Sequence, residues 1–449
     1  MNTADFVIIG GGAAGMSIAA AAKRARPEWR IVVIEAGGYI SYAQCGIPYY
    51  IDGRTKSIDD LVILTPQQAF EKKGVEALIH HRVDEIDAKA RKISVTDLKR
   101  GRNFEMGYKK LAIATGAIPK KPNISGTNYE GVFTVRSLEQ AQALKKFIEE
   151  NNPKNAVIIG AGYVGIEMAE SLSLLGIKTS VVEILPTILG LYDAKMRDAV
   201  IAEGERNGVS FYLESKVSAI EAKNNRVASV HTSSGEFPAD VVILSAGIEP
   251  NVSLAKSIGL ELGAGGAIYV DLQGHTSIAG IYSAADCAQI RDLITGKWVW
   301  VPLGTTANRQ GRAIGYATAG KMTQFKGVVR SAMTKFFDIG IASVGAPKSD
   351  IEKIGWKIKE TTIQSISCSH YYPDHRPVWV YMYADSETGR VLGGQYVGPA
   401  DSTKRFDILV AAVANRCIVE DMAYLDIPYA PPFGTVWDPI NIAASKLSK

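Results

Sequence analysis

Near its start the chain reads DFVIIGGGAAG (Asp5–Gly15), and 150 positions later it reads NAVIIGAGYVG (Asn155–Gly165). Each copy is an apolar, strand-like run that breaks into the pattern Gly-x-Gly-x-x-Gly and continues into a helix-forming segment. In this order the glycines permit a tight turn, the approach of a pyrophosphate to the backbone, and packing of the helix on the strand. The repeat therefore predicts two dinucleotide sites, each with its phosphates at the N-terminus of a helix.

A second strand follows each glycine pattern and ends in a glutamate. RIVVIEAG contains Glu35 and TSVVEIL contains Glu183, each about 20 residues beyond its glycines. A carboxylate at this distance accepts a hydrogen bond from a ribose 2′-hydroxyl and repels a 2′-phosphate. We therefore expect each glutamate to hold a ribose, and the second site to prefer NADH to NADPH.

Composition limits the classes of partner. The 449 residues suggest about three domains, and a formal charge of +4 without basic stripes argues against nucleic acid. No apolar run approaches a membrane span, and the first strand begins too early to leave room for a signal peptide. The four cysteines and six histidines show neither a disulfide framework nor metal-ligand spacing. We expect a cytoplasmic protein without a membrane, nucleic-acid or metal partner.

The order of motifs divides the chain into four segments. Two similar phrases, KKLAIATGAIPKKP (Lys109–Pro122) and DVVILSAGIEPN (Asp240–Asn251), each run from a strand through a small-residue turn to proline. Later, PVWVYMYAD (Pro377–Asp385) and VLGGQYVG (Val391–Gly398) alternate as in an antiparallel sheet, and an amphipathic helix is predicted near Phe406–Asn415. The predicted segments are 1–112, 113–247, 248–325 and 326–449.

With these motifs, the sequence resembles the pyridine nucleotide–disulfide oxidoreductase superfamily over essentially its whole length. The resemblance implies an α/β protein in which a Rossmann-like FAD domain (1–112 and 248–325) is interrupted by an NAD(P)H domain (113–247). A C-terminal α+β dimerisation domain (326–449) follows. It also implies that Asp286, in YSAADCA, holds the flavin ribityl chain, and that PLGTTANRQGRAIG (Pro302–Gly315) is a helix whose N-terminus faces the flavin. The FAD residues so implied are Gly10, Gly12, Ala13, Ala14, Gly15, Glu35, Ala114, Thr115, Gly116, Asp286, Pro302, Leu303, Gly304 and Thr305.

The second fingerprint is expected to bind the nicotinamide cofactor. Tyr163 resembles the family residue that covers the flavin face until the nicotinamide displaces it; otherwise it fills a gap between helix and sheet. The NAD residues so implied are Gly160, Gly162, Tyr163, Val164, Gly165, Glu167, Glu183 and Gly247.

A lone cysteine, Cys45 in SYAQCGIPYY (Ser41–Tyr50), lies just beyond the first fingerprint. Two-cysteine disulfide reductases carry Cys-x4-Cys here, whereas the next cysteine in this chain is Cys287. A single redox thiol must store its oxidised form as a mixed disulfide with a small thiol or as a sulfenic acid. The turn or helix start at Gly-Ile-Pro is expected to lower the pKa of the thiol.

Among single-cysteine members, the chain resembles coenzyme A-disulfide reductases and persulfide- or polysulfide-reducing relatives. The oxidase and peroxidase branch has a histidine inside its first fingerprint, where this chain has Ala13 and Ala14. SHYYPDHRP (Ser369–Pro377) and AYLDIPYAPPFGTVWDP (Ala423–Pro439) resemble the C-terminal signatures of the CoA-disulfide reductase branch. The resemblance implies a homodimer in which Tyr371 and Tyr429 reach the partner's active site. The CoA-binding residues so implied are Arg24, Ser41, Gln44 and Cys45.

These motifs leave several alternatives open. The leading hypothesis is an FAD-dependent NAD(P)H reductase of CoA disulfide, CoA persulfide or polysulfide, acting through Cys45. An NADH oxidase or peroxidase with a Cys45 sulfenic acid is the chief alternative, and a flavoprotein electron carrier with a protein partner is the third. Arg24, Lys23 and Arg26 together also suit a solvated helix end. The physiological sulfur substrate, and whether CoA is a substrate or a tightly bound thiol, stay open.

Overall fold

The computed structural model describes residues 3–120 and 122–449, which form two βαβ units and a C-terminal antiparallel sheet with helices. The strands are β1 (Thr3–Ile9), β2 (Ile31–Ile34), β3 (Glu76–Leu78), β4 (His81–Asp87), β5 (Lys92–Asp97), β6 (Arg102–Ile113), β7 (Ala117–Pro119), β8 (Val132–Phe133), β9 (Asn155–Ile159), β10 (Lys178–Val182), β11 (Val209–Tyr212), β12 (Val217–Lys223), β13 (Arg226–Thr232), β14 (Gly235–Pro238), β15 (Val241–Leu244), β16 (Ile248–Pro250), β17 (Ile281–Ser283), β18 (Ile290–Arg291), β19 (Trp298–Val299), β20 (Ala332–Phe336), β21 (Ile339–Gly345), β22 (Ile358–Ile366), β23 (Pro377–Asp385) and β24 (Val391–Pro399). The α-helices are α1 (Ala13–Ala25), α2 (Ile47–Ile51), α3 (Pro66–Lys73), α4 (Leu138–Asn151), α5 (Tyr163–Leu174), α6 (Ala194–Arg206), α7 (Ser253–Ser257), α8 (Gly304–Thr318), α9 (Lys348–Glu352), α10 (Asp407–Ala414), α11 (Val419–Ala423) and α12 (Pro439–Leu447).

The first fingerprint lies in a seven-stranded mixed sheet that is assembled from distant parts of the chain. Strand β1 pairs in parallel with both β2 and β6, and β2 is buried along its whole length. Burial on both faces explains why β1 and β2 read as continuous apolar runs. Strand β17 returns to this sheet and pairs in parallel with β6. The sheet therefore draws on residues from both sides of the second fingerprint, as an interrupted domain does.

The second fingerprint lies in a separate parallel sheet with the order β11-β10-β9-β15-β8. The antiparallel strands β12, β13 and β14 form a smaller sheet beside it. The chain enters and leaves this unit side by side, because β7 and β16 pair antiparallel at its boundary. The predicted α/β class with two Rossmann-like units is confirmed, while the segment boundaries stay predictions.

The C-terminal segment forms a five-stranded antiparallel sheet with the order β20-β21-β24-β23-β22. The predicted strands at 377–385 and 391–398 are β23 and β24, and the predicted helix is α10. A strand with one solvent-exposed face would alternate between buried and exposed residues, but β24 is buried at every position. One reason is that its Gln395 side chain lies against the second βαβ unit, where Nε2 donates to the carbonyl of Gly190 at 2.8 Å.

Helices α1 and α8 pack closely and run parallel. A Cβ on Gly311 would lie 2.7 Å from the carbonyl oxygen of Ala14, and one on Gly315 would lie 2.4 Å from that of Ile18. Glycines in α8 therefore permit the close approach. The contact holds the N-terminus of α8 on the same side of the molecule as the first fingerprint.

The part of the chain that the structure describes contains neither a membrane-spanning helix nor a cluster of metal-ligating side chains. No helix there is long and apolar enough to cross a membrane. Within the same residues, no group of three or more His, Cys, Asp or Glu side chains is placed to hold a metal ion.

Candidate active site

The two fingerprints fold into the same strand–turn–helix geometry. Gly10 and Gly160 have φ angles of +106° and +105°. A Cβ at these positions would lie 2.2 Å from the carbonyl oxygen of Ala114 and 2.5 Å from that of Ser245, respectively. Both turns therefore require glycine, because an L-residue would be strained and would clash with the neighbouring strand end.

The middle glycines leave space in front of both helices. A Cβ on Gly12 or on Gly162 would meet no described atom within 4 Å. These residues are the N-caps of α1 and α5, and in the described residues no side chain caps either helix. The free N–H groups and the open space fit a pyrophosphate at each helix N-terminus. The assignment of individual FAD and NAD residues stays a prediction.

Both predicted ribose carboxylates lie against their glycine turns. Glu35 Oε2 accepts a hydrogen bond from the backbone N–H of Gly11 at 2.7 Å. Glu183 Oε2 accepts one from the backbone N–H of Ala161, also at 2.7 Å. Each carboxylate thus links the end of its second strand to the turn where a dinucleotide would bind.

Asp286 lies in a 3-10 turn (Ala285–Cys287) directly after β17 and forms an ion pair with Arg136 at 3.1 Å. Burial raises the pKa of the Asp286 carboxyl, and the Arg136 guanidinium opposes this shift. Trp300 Nε1 also donates to the Asp286 carbonyl at 2.7 Å. Arg136 also lies close to Gly116 in the predicted FAD set, since its Nη2 would be 3.9 Å from a Cβ there. Arg136 belongs to no sequence motif. Its role could not be predicted, because it pairs with Asp286, which lies 150 residues farther along the chain.

The N-terminus of α8 is open, as expected of a helix that faces a cofactor. Gly304 and Thr305 are exposed, and a Cβ on Gly304 would meet no described atom within 4 Å. Pro302 and Leu303 precede the helix and are half-buried. The positive end of the α8 dipole would stabilise negative charge on a group bound there.

Cys45 lies in a short 3-10 turn (Gln44–Gly46) that runs directly into α2. The residue is exposed. A Cβ on Gly46 would be 2.3 Å from Cδ2 of Leu61, so the turn packs tightly against the chain beneath it. Upstream, the backbone N–H of Ser41 donates to the Gly11 carbonyl at 2.8 Å. The predicted segment from Ser41 to Cys45 therefore begins at the first fingerprint.

The expectation that this turn lowers the pKa of the Cys45 thiol is wrong. The surrounding protein removes water from the sulfur although the residue reaches the surface, and this desolvation raises the pKa. The carboxylates of Glu167 and Asp286 raise it further. Helix α2 has only five residues, so its dipole offers little compensation.

Helix α5 of the second fingerprint is bonded to the segment that carries Cys45. Ser171 Oγ donates to the carbonyl of Pro48 in α2 at 2.9 Å. The carboxylate of Glu170 is buried and accepts from Arg54 Nη1 at 2.6 Å. It also accepts from Lys335 Nζ of β20 at 3.0 Å. One helix therefore joins the second βαβ unit to α2 and to the C-terminal sheet.

Two predicted NAD residues on α5 bond to the C-terminal sheet. Glu167 Oε1 accepts from Thr334 Oγ1 at 2.7 Å. Burial raises the pKa of Glu167; Thr334 opposes this shift, and Glu170 adds to it. The Tyr163 hydroxyl lies 3.2 Å from Ser343 Oγ, and burial raises its pKa. Tyr163 is thus held at the boundary between two units rather than free in solvent.

Tyr371 and Tyr429 come together from separate segments. Their hydroxyl oxygens are 2.8 Å apart, and Ser369 Oγ lies 3.2 Å from the Tyr429 hydroxyl. Hydrogen bonds from Tyr429 first, and then Ser369, lower the pKa of Tyr371. Among the described residues, neither phenol has a hydrogen bond to the Cys45 turn of its own chain. The pair is exposed, with 63% of Tyr371 and 41% of Tyr429 accessible.

The segment around Tyr429 exposes a set of large apolar side chains. It includes Tyr424, Phe433 and Val436, which are 82%, 78% and 70% exposed. Exposed apolar side chains of this kind are typical of interaction surfaces.

Arg24 lines a pocket of about 340 Å³, together with Lys23, Lys72 and Lys73. We call it the Arg24 pocket. Arg24 Nε donates to the hydroxyl of Tyr316 at 3.2 Å, and this bond lowers the pKa of Tyr316. Lys72 and Lys73 carry no distinct sequence signal, because basic residues at the end of a helix such as α3 commonly complement its dipole.

Comparison with known proteins gives two family matches. The Pyridine nucleotide-disulphide oxidoreductase model matches residues 4–311, and its dimerisation domain matches residues 331–439. Among curated relatives, an NAD(P)H coenzyme A polysulfide/persulfide reductase of Pyrococcus horikoshii is 38% identical over 98% of both chains. An NADH oxidase of Methanocaldococcus jannaschii is 35% identical, covering 99% of this chain and 98% of the relative. A coenzyme A disulfide reductase of Staphylococcus aureus is 28% identical, covering 98% and 99%.

A solved structure is also similar throughout. The crystal structure of reduced Bacillus anthracis CoADR-RHD superposes with a TM-score of 0.95 at 30% identity. The match covers 100% of this chain and 80% of that one.

Proposed function

Because the chain belongs to the pyridine nucleotide-disulphide oxidoreductase family, we propose that it reduces CoA disulfide, CoA persulfide or polysulfide through Cys45. The family uses FAD and NAD(P)H. The observation that carries the proposal is the exposed thiol of Cys45, which lies between two bonded residues. Ser41 before it bonds to Gly11 of the first fingerprint, and Pro48 after it bonds to Ser171 of α5. The relatives named as CoA-dependent sulfur reductases support this substrate class.

When bound at the two fingerprints, NAD(P)H and FAD would together supply an electron pair to the sulfur chemistry at Cys45. The Cys45 thiolate attacks one sulfur of CoA disulfide, which breaks the S–S bond, forms a Cys45–CoA mixed disulfide and releases one CoA thiolate. Two electrons from the bound cofactors would break the mixed disulfide, which returns the Cys45 thiolate and releases the second CoA as a thiolate. With CoA persulfide, the Cys45 thiolate attacks the inner sulfur, which is bonded to the CoA carbon. The same mixed disulfide forms, and hydrosulfide leaves instead of a CoA thiolate.

The tyrosine pair supplies a proton to the leaving thiolate in this scheme. Tyr371 and Tyr429 share a hydrogen bond, so the phenol that gives up a proton is stabilised by its neighbour. We infer that they serve the Cys45 of the partner subunit, since both are exposed within the residues that the dimerisation domain model matches.

The Arg24 pocket is proposed to hold the phosphates of CoA. Four cationic side chains line it, and phosphates are the strongest anionic groups of CoA. The first fingerprint connects the two regions, because it contacts Ser41 and leads into α1, which carries Arg24. The CoA chain would then run from the pocket to Cys45.

This proposal is tested with two disulfides that share the thiol arm but differ in phosphate. The Lys72→Gln/Lys73→Gln variant is expected to raise the KM for CoA disulfide about five- to tenfold, because two charge contacts are lost. The KM for pantethine, which has no phosphate, should not change. An equal rise for both substrates, or for neither, would contradict CoA binding in the Arg24 pocket.

The nicotinamide site is expected to prefer NADH. The Glu183 carboxylate repels a 2′-phosphate, and such repulsion costs at least about 1.4 kcal/mol, or tenfold in kcat/KM. Arg197 of α6 reaches the loop after Glu183, where its Nη1 donates to the carbonyl of Pro186 at 3.2 Å, but it is paired with Asp198. Steady-state kinetics with NADH and with NADPH test this prediction. The Glu183→Gln variant should have a smaller ratio of the two kcat/KM values than the wild type. A higher kcat/KM for NADPH would contradict this assignment.

An NADH oxidase is the second candidate, because one relative over nearly the whole chain has that name. Ala13 and Ala14 occupy the fingerprint positions where the oxidase branch is expected to have a histidine, which argues against it. Oxidation of NADH in air without added disulfide is therefore expected to be slow. Turnover with O2 alone that equals the rate with CoA disulfide would favour the oxidase.

A further inference from the structure

A pocket of about 470 Å³, larger than the Arg24 pocket, opens between the segment after β17 and the C-terminal sheet. Arg291 and Lys326 line it from one side, and Arg390 and Arg416 from the other. We call it the Arg390 pocket. None of these residues belongs to the proposed FAD, NAD or CoA sites.

Positive charge in the Arg390 pocket is not balanced by the carboxylate that lines it. That carboxylate, Asp292, is fully buried, and Arg330 pairs with it. Its Oδ1 also accepts the backbone N–H of Ile294 at 2.7 Å. In the described residues, the side chains of Arg291, Lys326 and Arg416 have no ion pair.

Arg390 is the most enclosed cation of the four. Its Nη2 makes one long bond, 3.4 Å to the carbonyl of Leu293, and its Nε is buried with no hydrogen-bond partner among the described residues. Desolvation lowers the pKa of Arg390, and Arg416 lowers it further, against the opposing effects of Asp385 and Asp292. A buried guanidinium N–H without an acceptor is costly, and an anion would remove that cost.

We propose that the Arg390 pocket binds a small molecule that carries a di- or polyphosphate group. Guanidinium groups match phosphate oxygens in pairs, and several cations around one pocket favour an anion with more than one charge. The volume lies in the range of small-molecule sites. Leu272, Leu293 and Ile294 line the same pocket and give an apolar wall for the rest of the ligand.

The Arg390 pocket lies away from the proposed dimer surface. Strand β23 begins at Pro377, next to the segment with Tyr371, and ends at Asp385, five residues before Arg390. Nine residues of strand span about 30 Å. A ligand in the pocket would therefore contact two segments of the chain without covering the tyrosine pair.

The test uses FAD-loaded enzyme saturated with NAD+, so that both fingerprints are occupied, and titrates inorganic pyrophosphate by calorimetry at constant ionic strength. Arg291→Gln/Arg416→Gln is expected to weaken pyrophosphate binding at least tenfold. Both side chains are exposed, so the fold is retained, which unchanged FAD content and NADH-dependent turnover would verify. Lys72→Gln/Lys73→Gln is the matched control, because it removes two cations from the Arg24 pocket instead.

The variants separate this inference from the CoA proposal. Weaker binding in Arg291→Gln/Arg416→Gln, with a clearly smaller loss in Lys72→Gln/Lys73→Gln, supports the Arg390 pocket. An equal loss of affinity in both variants would indicate a general charge effect and overturn the inference. Unchanged affinity in Arg291→Gln/Arg416→Gln, or the absence of saturable pyrophosphate binding to the wild type, would also overturn the inference. None of these results bears on the pantethine comparison, which tests CoA binding independently.

Discussion

Replacing Cys45 by serine is expected to lower turnover of CoA disulfide by more than about a thousandfold, as loss of a covalent nucleophile does in other enzymes. A serine hydroxyl cannot form the mixed disulfide. Of the other three cysteines, Cys287 and Cys368 are buried and Cys417 is half-buried, so none is exposed as Cys45 is. FAD should stay bound, because the first fingerprint and Asp286 are on other segments. Reduction of the flavin by NADH, followed by absorbance at its visible band, should proceed as in the wild type.

A second cysteine variant shows whether the loss is specific. Cys417 is half-buried and lies in the C-terminal segment, so Cys417→Ser should keep both flavin reduction and disulfide turnover. Near wild-type disulfide turnover in Cys45→Ser would refute the single-thiol mechanism. Loss of FAD from Cys45→Ser would instead indicate a structural role for the turn.

Tyr429→Phe is expected to slow reoxidation of the reduced enzyme by CoA disulfide about 100-fold, the usual contribution of a positioned general acid. Flavin reduction by NADH should keep its rate, since neither phenol contacts a fingerprint. Tyr371→Phe should act in the same direction, because the two hydroxyls share a 2.8 Å hydrogen bond. Stopped-flow measurement of the two half-reactions separates these effects. An equal slowing of both half-reactions would point to a structural role for Tyr429.

Mixed dimers determine which subunit supplies the phenol. In a dimer of one Cys45→Ser subunit and one Tyr429→Phe subunit, cross-subunit sites leave one site with both defects and one intact. Activity should then recover towards half of the wild type. If Tyr429 serves the Cys45 of its own chain, no site is intact and activity stays low. Exchange of subunits is verified by different affinity tags, so that low activity in tagged heterodimers would exclude the cross-subunit assignment.

Local patterns were enough to predict the elements that bind dinucleotides. The turns at Gly10 and Gly160 have a fixed relation to the strand before and the helix after them, so the sequence predicts their geometry. The same holds for Glu35 and Glu183, whose distance from the glycines is set by one helix and one strand. Family resemblance, rather than spacing, related Tyr371 to Tyr429, which lie 58 residues apart and hydrogen bond in the structure.

Features that depend on distant segments could not be predicted. The pKa of Cys45 was expected to fall, because the local sequence shows only a turn and a helix start. The pKa is instead raised by desolvation and by Glu167 and Asp286, which belong to other segments. Arg136 and the two lysines of the Arg24 pocket were missed for the same reason. Their side chains look like ordinary surface charges until the fold brings them beside Asp286 and Arg24.

Helix α5 also limits how the chain can change in length. Gly162 is its N-cap, and Glu167, Glu170 and Ser171 farther along have partners in different parts of the protein. Inserting one residue between Gly162 and Glu167 would turn everything beyond it by about 100° around the helix axis. The carboxylates and the serine would then face away from Thr334, Arg54 and α2 all at once. Homologous chains can accept insertions in surface loops, but this stretch of helix must keep its residue count.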